Sequence, residues 1–500
     1  MRSLLFLSVL ALNALVLRAD VIEQGPKDSP PSGLLAGTAR ADITPPVGIA
    51  QMNWGSQTHV VATGVDPAGM WATALVVSDG KQKFVMVDLD AGSVAPFRDA
   101  IGRAAAAIGV PPDHVRLAAF HTHAGPSITP GKGPVGVDLT EYQRVMDRYR
   151  AAVSDKIAGV VAEANSRLRP VHVGGGKGSG TVNINRRVRA DGDKPAAVGR
   201  NPGGFVDREL PVIRMDDAQG HPYAVIANFP CHGTVLAYEN KIVSPDWVGM
   251  TRKVVEAALP GAICLFFQGA AGNQGPIEGF TGDLSVAHRL GSILGHEIAA
   301  VALSIETVQR EPRFEGFVES SAYQAKQPWR VARPRDGTLK FVKRVLELPP
   351  RAYSQKEISD MEALVADAKA KVAESQSRGD LWAKHQAEAR LRRFTDLLTA
   401  WKRPFDPTPA AVEVEILRIG ESAIVAMPGE PFAEIGLAIK KASPFPTTLF
   451  CGYSSGRGGG YIPVESEYAF GGYEIQITPY GVGAAEKLIR ETANLFEQVR

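Results

Sequence analysis

The sequence predicts an α/β fold of layered, mixed β-sheets with flanking helices. Three observations carry this expectation. Short apolar runs alternate with segments whose apolar residues recur at three- and four-residue spacing, which is the strand–helix–strand order of α/β layering. The apolar runs end abruptly in polar or glycine-rich turns, at Asp90, His121/His123, His232, Gln268 and Glu430. The composition, 45% hydrophobic and 22% charged, is that of an ordinary globular chain of 500 residues. A formal net charge of +2 gives no electrostatic footprint for nucleic acid.

Residues 1–19 read as a secretory signal peptide. Arg2 supplies the positive start, Leu4 to Leu17 is an almost unbroken apolar run, and Ala19 is a cleavage point. The expected location is secreted or periplasmic. A membrane anchor is the alternative, but the run is shorter than the ~20 residues a spanning helix needs. No later segment is apolar enough to span, so no transmembrane segment is expected in the mature chain. Residues 20–34 form a connector rich in Pro, Gly and Ser.

Residues 35–310 form the first large region. Strand character covers 38–46 with its turn, 75–77 and 84–90, and a helix is expected over 96–107. The next strand, from Arg116 to Phe120, runs into His121-Thr122-His123-Ala124-Gly125-Pro126. In an extended backbone i and i+2 share a face. If the extension persists through Thr122, the two histidines therefore point one way. Such a pair holds a metal, polarises a carbonyl or forms a hydrogen-bonded structural pair. Tyr142, Met146, Tyr149, Val153, Ile157 and Val160 mark a long amphipathic helix over 140–168. A glycine-rich stretch leads to Arg186 and Arg187. Strands at 211–214 and 223–230 follow, the second running into Cys231-His232-Gly233. A strand at 262–267 ends in the loop Gln268 to Pro276, and a helix covers 285–305. No Gly-Lys-Ser/Thr follows that loop, so it is not a P-loop.

Residues 311–408 read as a linker and a helical hairpin. Ile358, Met361, Val365, Ala368 and Val372 give one helical stripe. Leu391, Phe394, Leu398 and Trp401 give another, with Gly379 near the break. An insertion or cap is expected, a coiled-coil partner site being the alternative. Residues 409–500 return to β character over 412–427, with a hairpin turn at Gly420-Glu421-Ser422. A helix, a strand at 447–451, a glycine-rich loop and a final helix from 484 follow. Cys231, Cys264 and Cys451 sit in or beside apolar runs and read as buried thiols, with a disulfide between two of them as the alternative.

Two or three imidazoles and one carboxylate delivered from strand ends match the ligand set of catalytic zinc. Glu430, after Pro428-Gly429, is equally placed to cap the next helix. Tyr461 and Tyr473 read from spacing alone as core aromatics. Arg186 reads as an ion-pair partner, with Asp90 as one candidate. Asp246 reads as a turn residue or a supporting partner. His288 and His296, on a helix, and the surface-leaning His114, His172 and His385 are assigned to structure or solvent.

Several stretches together resemble the neutral/alkaline (non-lysosomal) ceramidase family. They are Ala119-Phe-His-Thr-His-Ala-Gly-Pro126, Ile184-Asn-Arg186, Asn228-Phe-Pro-Cys-His232, Phe267-Gln268 through Gly272-Asn273 and Pro276, Met427-Pro-Gly-Glu430, and Gly460-Tyr461-Ile-Pro with Tyr473-Glu474. They cover roughly residues 35 to 310 and 410 to 500, and the helical hairpin lies outside them. The resemblance implies a ceramidase-like catalytic domain, with the hairpin inserted before the last ligand-bearing segment. It implies His121, His232, Glu430 and Tyr461 as zinc ligands. It implies His123 as a catalytic residue, Arg186 beside the reacting carbonyl and Tyr473 as a donor to the oxyanion. One departure stands out. The family's attacking serine corresponds to Gly275 here, and Gly269 replaces another serine nearby. The expected function is therefore a zinc-dependent hydrolase that cleaves an amide of an N-acyl (sphingo)lipid or related N-acylated compound by zinc-activated water. A zinc esterase, lactonase or phosphoesterase, or a non-catalytic ligand-binding relative, is the alternative. The expected partner is a small-molecule or lipid-like substrate.

Overall fold

A computed structural model describes residues 32–54, 57, 59–127, 138–189, 195–333 and 335–500. The predicted signal peptide and nearly all of the connector lie outside the described residues. The predicted α/β layering is found. An eight-stranded sheet holds β1 (Leu34–Asp42), β2 (Trp71–Ser78), β3 (Lys83–Leu89), β4 (Val115–Ala119), β5 (Arg169–Ser179), β6 (Glu209–Asp217), β7 (Pro222–Phe229) and β8 (Ile263–Gln268). Its order is β8-β7-β6-β5-β1-β2-β3-β4. The β3–β4 and β7–β8 pairs are parallel and the others antiparallel. A four-stranded sheet joins β9 (Leu339–Leu348), β10 (Ala410–Ile419), β11 (Ser422–Ala426) and β12 (Thr447–Cys451) in that order.

The period-two alternation of the strands determines the layers. On β2, Ala74 and Val76 face a core with α1 (Arg98–Ile108) and α2 (Thr140–Ser166), through Ala100, Ala104, Val153 and Ile157. Val225, Ala227 and Phe266 face α3 (Val248–Ala258) and α4 (Leu284–Ser304) in the same way. The opposite residues, Leu75, Val77, Ile226 and Leu265, meet Leu417, Ile424 and Leu449 of the smaller sheet. The far face of that sheet, Val414, Ile416 and Val425, buries α7 (Ala433–Ala442) and α8 (Ala484–Leu495). The result is helices, sheet, sheet, helices.

The hairpin forms as α5 (Gln355–Ser377) and α6 (Leu381–Trp401). Ser354 and Glu357 make a reciprocal capping box at the start of α5. Asp380 caps α6, and Gly379 turns the chain with φ +70°. Met361, Val365, Ala368, Phe394 and Trp401 are the seam. The hairpin leaves the smaller sheet between β9 and β10, which pair from Leu339↔Ile419 to Leu348↔Ala410. Strand β9 falls in the stretch expected to be linker. Its Lys340, Lys343 and Arg344 line an edge strand and interrupt the apolar alternation. Two short two-stranded arms, Gln309–Pro312 with Trp329–Arg333 and Phe317–Val318 with Gln324–Ala325, were likewise not expected. His172, expected near the surface, is buried. The three cysteines are free and buried.

Candidate metal centre

The extension assumed for the histidine pair does not persist. Strand β4 stops at Ala119, and His121 takes a left-handed backbone with φ +71°. The rings meet for another reason. The N–H of His121 donates to Ala91 O, and that of His123 donates to Gly233 O. The segment is thus held between the ends of β3 and β7. His232 follows β7 and donates its N–H to Gln274 O at 3.2 Å. Gln268, buried at the end of β8, holds these ends together. Its Oε1 accepts from Cys231 N at 3.0 Å and Gly269 N at 3.2 Å. Its Nε2 donates to Phe120 O at 3.1 Å and Cys231 O at 2.7 Å.

His121 places Nδ1 2.5 Å from Gly92 O, and His232 places Nδ1 2.7 Å from Ala271 O. A carbonyl accepts only, so each Nδ1 carries the proton and each Nε2 presents a lone pair. The Nε2 atoms of His121 and His123 are 3.2 Å apart, and one ligand nitrogen from each of His121, His123 and His232 lies within 4.8 Å of the others. Glu430 Oε2 is 3.2 Å from His232 Nε2 and 3.7 Å from His121 Nε2. Neighbouring corners of a tetrahedron around zinc, with bonds near 2.0–2.1 Å, are about 3.3 Å apart. His232 Nε2 is buried and has no hydrogen-bond partner. Lone pairs converging on a carboxylate repel unless a cation sits between them, so these residues suit a divalent metal of the zinc type.

Burial lowers the His232 imidazole to about 4, with Arg186 adding to the effect. Burial also lowers His123 well below its ordinary value, helped by His121 and His232. Burial alone would raise the Glu430 carboxyl, but His121, His232 and Arg186 hold it well below the carboxylate range. At neutral pH His123 and His232 are therefore neutral and Glu430 is an anion, the states a metal requires.

Glu430 arrives on a tight crossing of backbones. Gly429 has φ +90°, and a Cβ there would lie 2.6 Å from Gly460 O. A Cβ on Gly272 would lie 2.4 Å from Glu430 O, so glycine lets the 268–276 loop pass close to the backbone that carries Glu430. Tyr461 pairs with Glu430 across a short parallel ladder, and its hydroxyl accepts from Arg186 Nη2 at 3.0 Å. Arg186 also donates from Nε to Glu474 Oε1 at 3.0 Å, and Arg187 occupies Glu474 Oε2 at 2.6 Å. Tyr473 begins a short helix, with its ring 5.7 Å from that of Tyr461 and 37% of its surface exposed.

All seven expected site residues thus occupy one region, with two changes of emphasis. His123 joins the nitrogen cluster, and the Tyr461 hydroxyl is engaged by Arg186. The suggested Arg186–Asp90 pair does not form, because Asp90 and Asp88 are bound by Arg252 at 2.7 and 2.8 Å. Asp246 is a turn residue with φ +57° that accepts from Leu236 N and Trp247 N. His288 pairs with Asp66 at 3.0 Å, and His296 is exposed. Tyr453 was missed. Its buried hydroxyl donates to Glu430 Oε2 at 3.4 Å, and its ring lies 4.7 Å from that of His121. Its place directly after β12, in a glycine-rich loop, was the available signal. A side chain at Gly275 meets only Arg186 Cβ, at 3.4 Å, whereas one at Gly269 would lie 2.8 Å from Pro230 N.

Residues 34–276 match the family model described as neutral/alkaline non-lysosomal ceramidase, N-terminal. That span holds the three histidines and Arg186, while Glu430, Tyr461 and Tyr473 lie beyond it. The neutral ceramidase of Pseudomonas aeruginosa is 24% identical over 478 residues, 89% of this chain and 69% of that protein. Neutral ceramidase A of Dictyostelium discoideum is 28% identical over 175 residues, which are 33% of this chain and 24% of that protein. The crystal structure of the Pseudomonas aeruginosa neutral ceramidase superposes with a TM-score of 0.62 at 21% identity, covering 94% of this chain and 74% of that one. That likeness is one of fold, and it extends beyond the matched domain to the segments bearing Glu430 and Tyr461. Residues 34–276 are thus identified as an N-terminal domain of the neutral/alkaline non-lysosomal ceramidase family, and the chain as a whole shares the fold of the solved neutral ceramidase structures.

Proposed function

We propose that the chain is an exported, zinc-dependent hydrolase that cleaves the amide of ceramide or a related N-acylated compound. The observation that carries this reading is the convergence of His121, His123 and His232, whose ligand nitrogens lie within 4.8 Å of one another, with Glu430 Oε2 3.2 Å from His232 Nε2. A divalent ion held there supplies Lewis acidity and lowers the pKa of water toward about 7. Arg186, fixed by Glu474, and Tyr473, at the exposed rim, are the donors for the oxyanion that forms on the acyl carbon. Donors so placed stabilise such a transition state by about 3–4 kcal/mol each. Residues 269–276 carry no hydroxyl, so water is the nucleophile rather than a side chain of that loop. Tyr461 keeps Arg186 turned toward the carbonyl. Export rests on the apolar start of the chain. Among the described residues no helix is long and apolar enough to cross a membrane.

Release of fatty acid from an N-acyl sphingosine should require added zinc after chelation, and His232→Ala should abolish it. Release that survives chelation would refute the metal-dependent reading. Release from the ester analogue alone would make the enzyme an esterase.

A further inference from the structure

A cavity of about 400 Å3 lies between α6 and the loop that carries Trp54. Met52 and Trp54 line it from the loop, and Arg392, Arg393, Asp396 and Leu397 from α6. Both walls touch the candidate centre. The Trp54 ring is 4.7 Å from the His123 ring. The Arg393 guanidinium lies 4.5 Å from the centre of the Tyr473 ring.

Arg393 is unusual among the arginines around the site. Arg186 and Arg187 share Glu474, and Arg189 and Arg187 share Glu467. Arg393 donates to a neutral acceptor, Gln476 Oε1, at 3.1 Å. Among the described residues no carboxylate pairs with it. Glu474 is already bound by two guanidinium groups. Burial lowers the guanidinium from its ordinary value, so its charge is only partly solvated. A guanidinium presents a planar fork of donors that matches a carboxylate. Trp54, Met52 and Leu397 supply apolar surface beside it.

We propose that this cavity is a head-group subsite, and that Arg393 selects N-acylated compounds carrying a carboxylate close to the scissile amide, as in an N-acyl amino acid. The inference rests on the amide-hydrolase reading for the identity of the bond, and it adds the charge of the group beyond that bond. The carboxylate takes the free donors of Arg393. The part of the head group nearest the amide lies against Trp54. The hairpin then acts in substrate choice, since α6 supplies the cation.

The test uses the full chain loaded with zinc. Calorimetry compares binding of N-lauroylglycine with that of its methyl ester, for the wild type, Arg393→Gln and Arg393→Lys. The wild type should bind the acid at least about tenfold tighter, the low end of what one charge-assisted pair contributes. Arg393→Gln should bring the two ligands within about twofold of each other, and Arg393→Lys should restore part of the gap. Equal binding of acid and ester by the wild type overturns the proposal. So does an acid preference that persists in Arg393→Gln, because that preference would belong to the metal. Turnover of both compounds is read in the same preparations. Turnover of N-acyl sphingosine, read alongside, separates the two readings. Acid preference without it leaves the subsite standing and removes the hydrolase reading; that turnover without acid preference does the reverse.

Discussion

Replacing Gln268 by Leu should damage the fold and the metal centre together. The amide oxygen of Gln268 accepts from Cys231 N and Gly269 N, and its nitrogen donates to Phe120 O and Cys231 O. Gly269 N–H keeps a second acceptor, Phe229 O at 3.1 Å. Cys231 N, Cys231 O and Phe120 O depend on the side chain. Leucine matches the volume but offers no polar atom, so three buried backbone groups lose a partner. At about 1–3 kcal/mol for each unsatisfied group, the loss is on the order of 5 kcal/mol. Phe120 and Cys231 directly precede His121 and His232, so both ligand-bearing turns also loosen. Groups that orient metal ligands typically contribute about 10–100-fold in affinity. Urea unfolding measures the first effect, and competition with a chelator of known zinc affinity measures the second. A Gln268→Leu protein that loses less than about 1 kcal/mol and binds zinc as the wild type does would show that this amide does not hold the strand ends.

Further outcomes follow from other named groups. Glu474→Ala leaves Arg186 and Arg187 buried beside a missing anion and should cost about 3–5 kcal/mol in urea unfolding. Gly269→Ser should destabilise by about 1–3 kcal/mol because its Cβ meets Pro230 N, while Gly275→Ser should leave Tm nearly unchanged because its Cβ makes only an ordinary contact with Arg186 Cβ at 3.4 Å. Burial raises the Asp246 carboxyl from 3.8 to about 7, so the native state keeps a proton that the unfolded chain has released. The stabilisation is complete below about pH 4 and is lost as pH rises through about 7. Asp246→Asn should flatten that slope, as followed by thermal melts from pH 4 to 8.

Much of the layering was legible because buried strands and amphipathic helices imprint their periods on the sequence. The hairpin announced itself through two apolar stripes with Gly379 near the break. Strand β9 did not, since an edge strand with Lys343 and Arg344 on it has no clean alternation. At the candidate site, His121, His123, His232 and Glu430 were visible as polar residues closing apolar runs. The reason the first two meet was not visible, because a left-handed His121 leaves no mark in the sequence. Tyr453 was overlooked, and Glu474 was quoted without a role, because what they do depends on contacts made across the fold, to Glu430 and to Arg186. The cavity beside Trp54 exists only where the hairpin folds back, and no local pattern encodes that approach.

X-ray absorption at the zinc edge, on purified protein equilibrated with zinc and then desalted, addresses the metal centre most directly. One ion per chain, surrounded by three imidazole nitrogens and a carboxylate oxygen and lost in His121→Ala, is the expected result. Substoichiometric zinc in a sulfur or all-oxygen environment, or a site unaffected by His121→Ala, would contradict it.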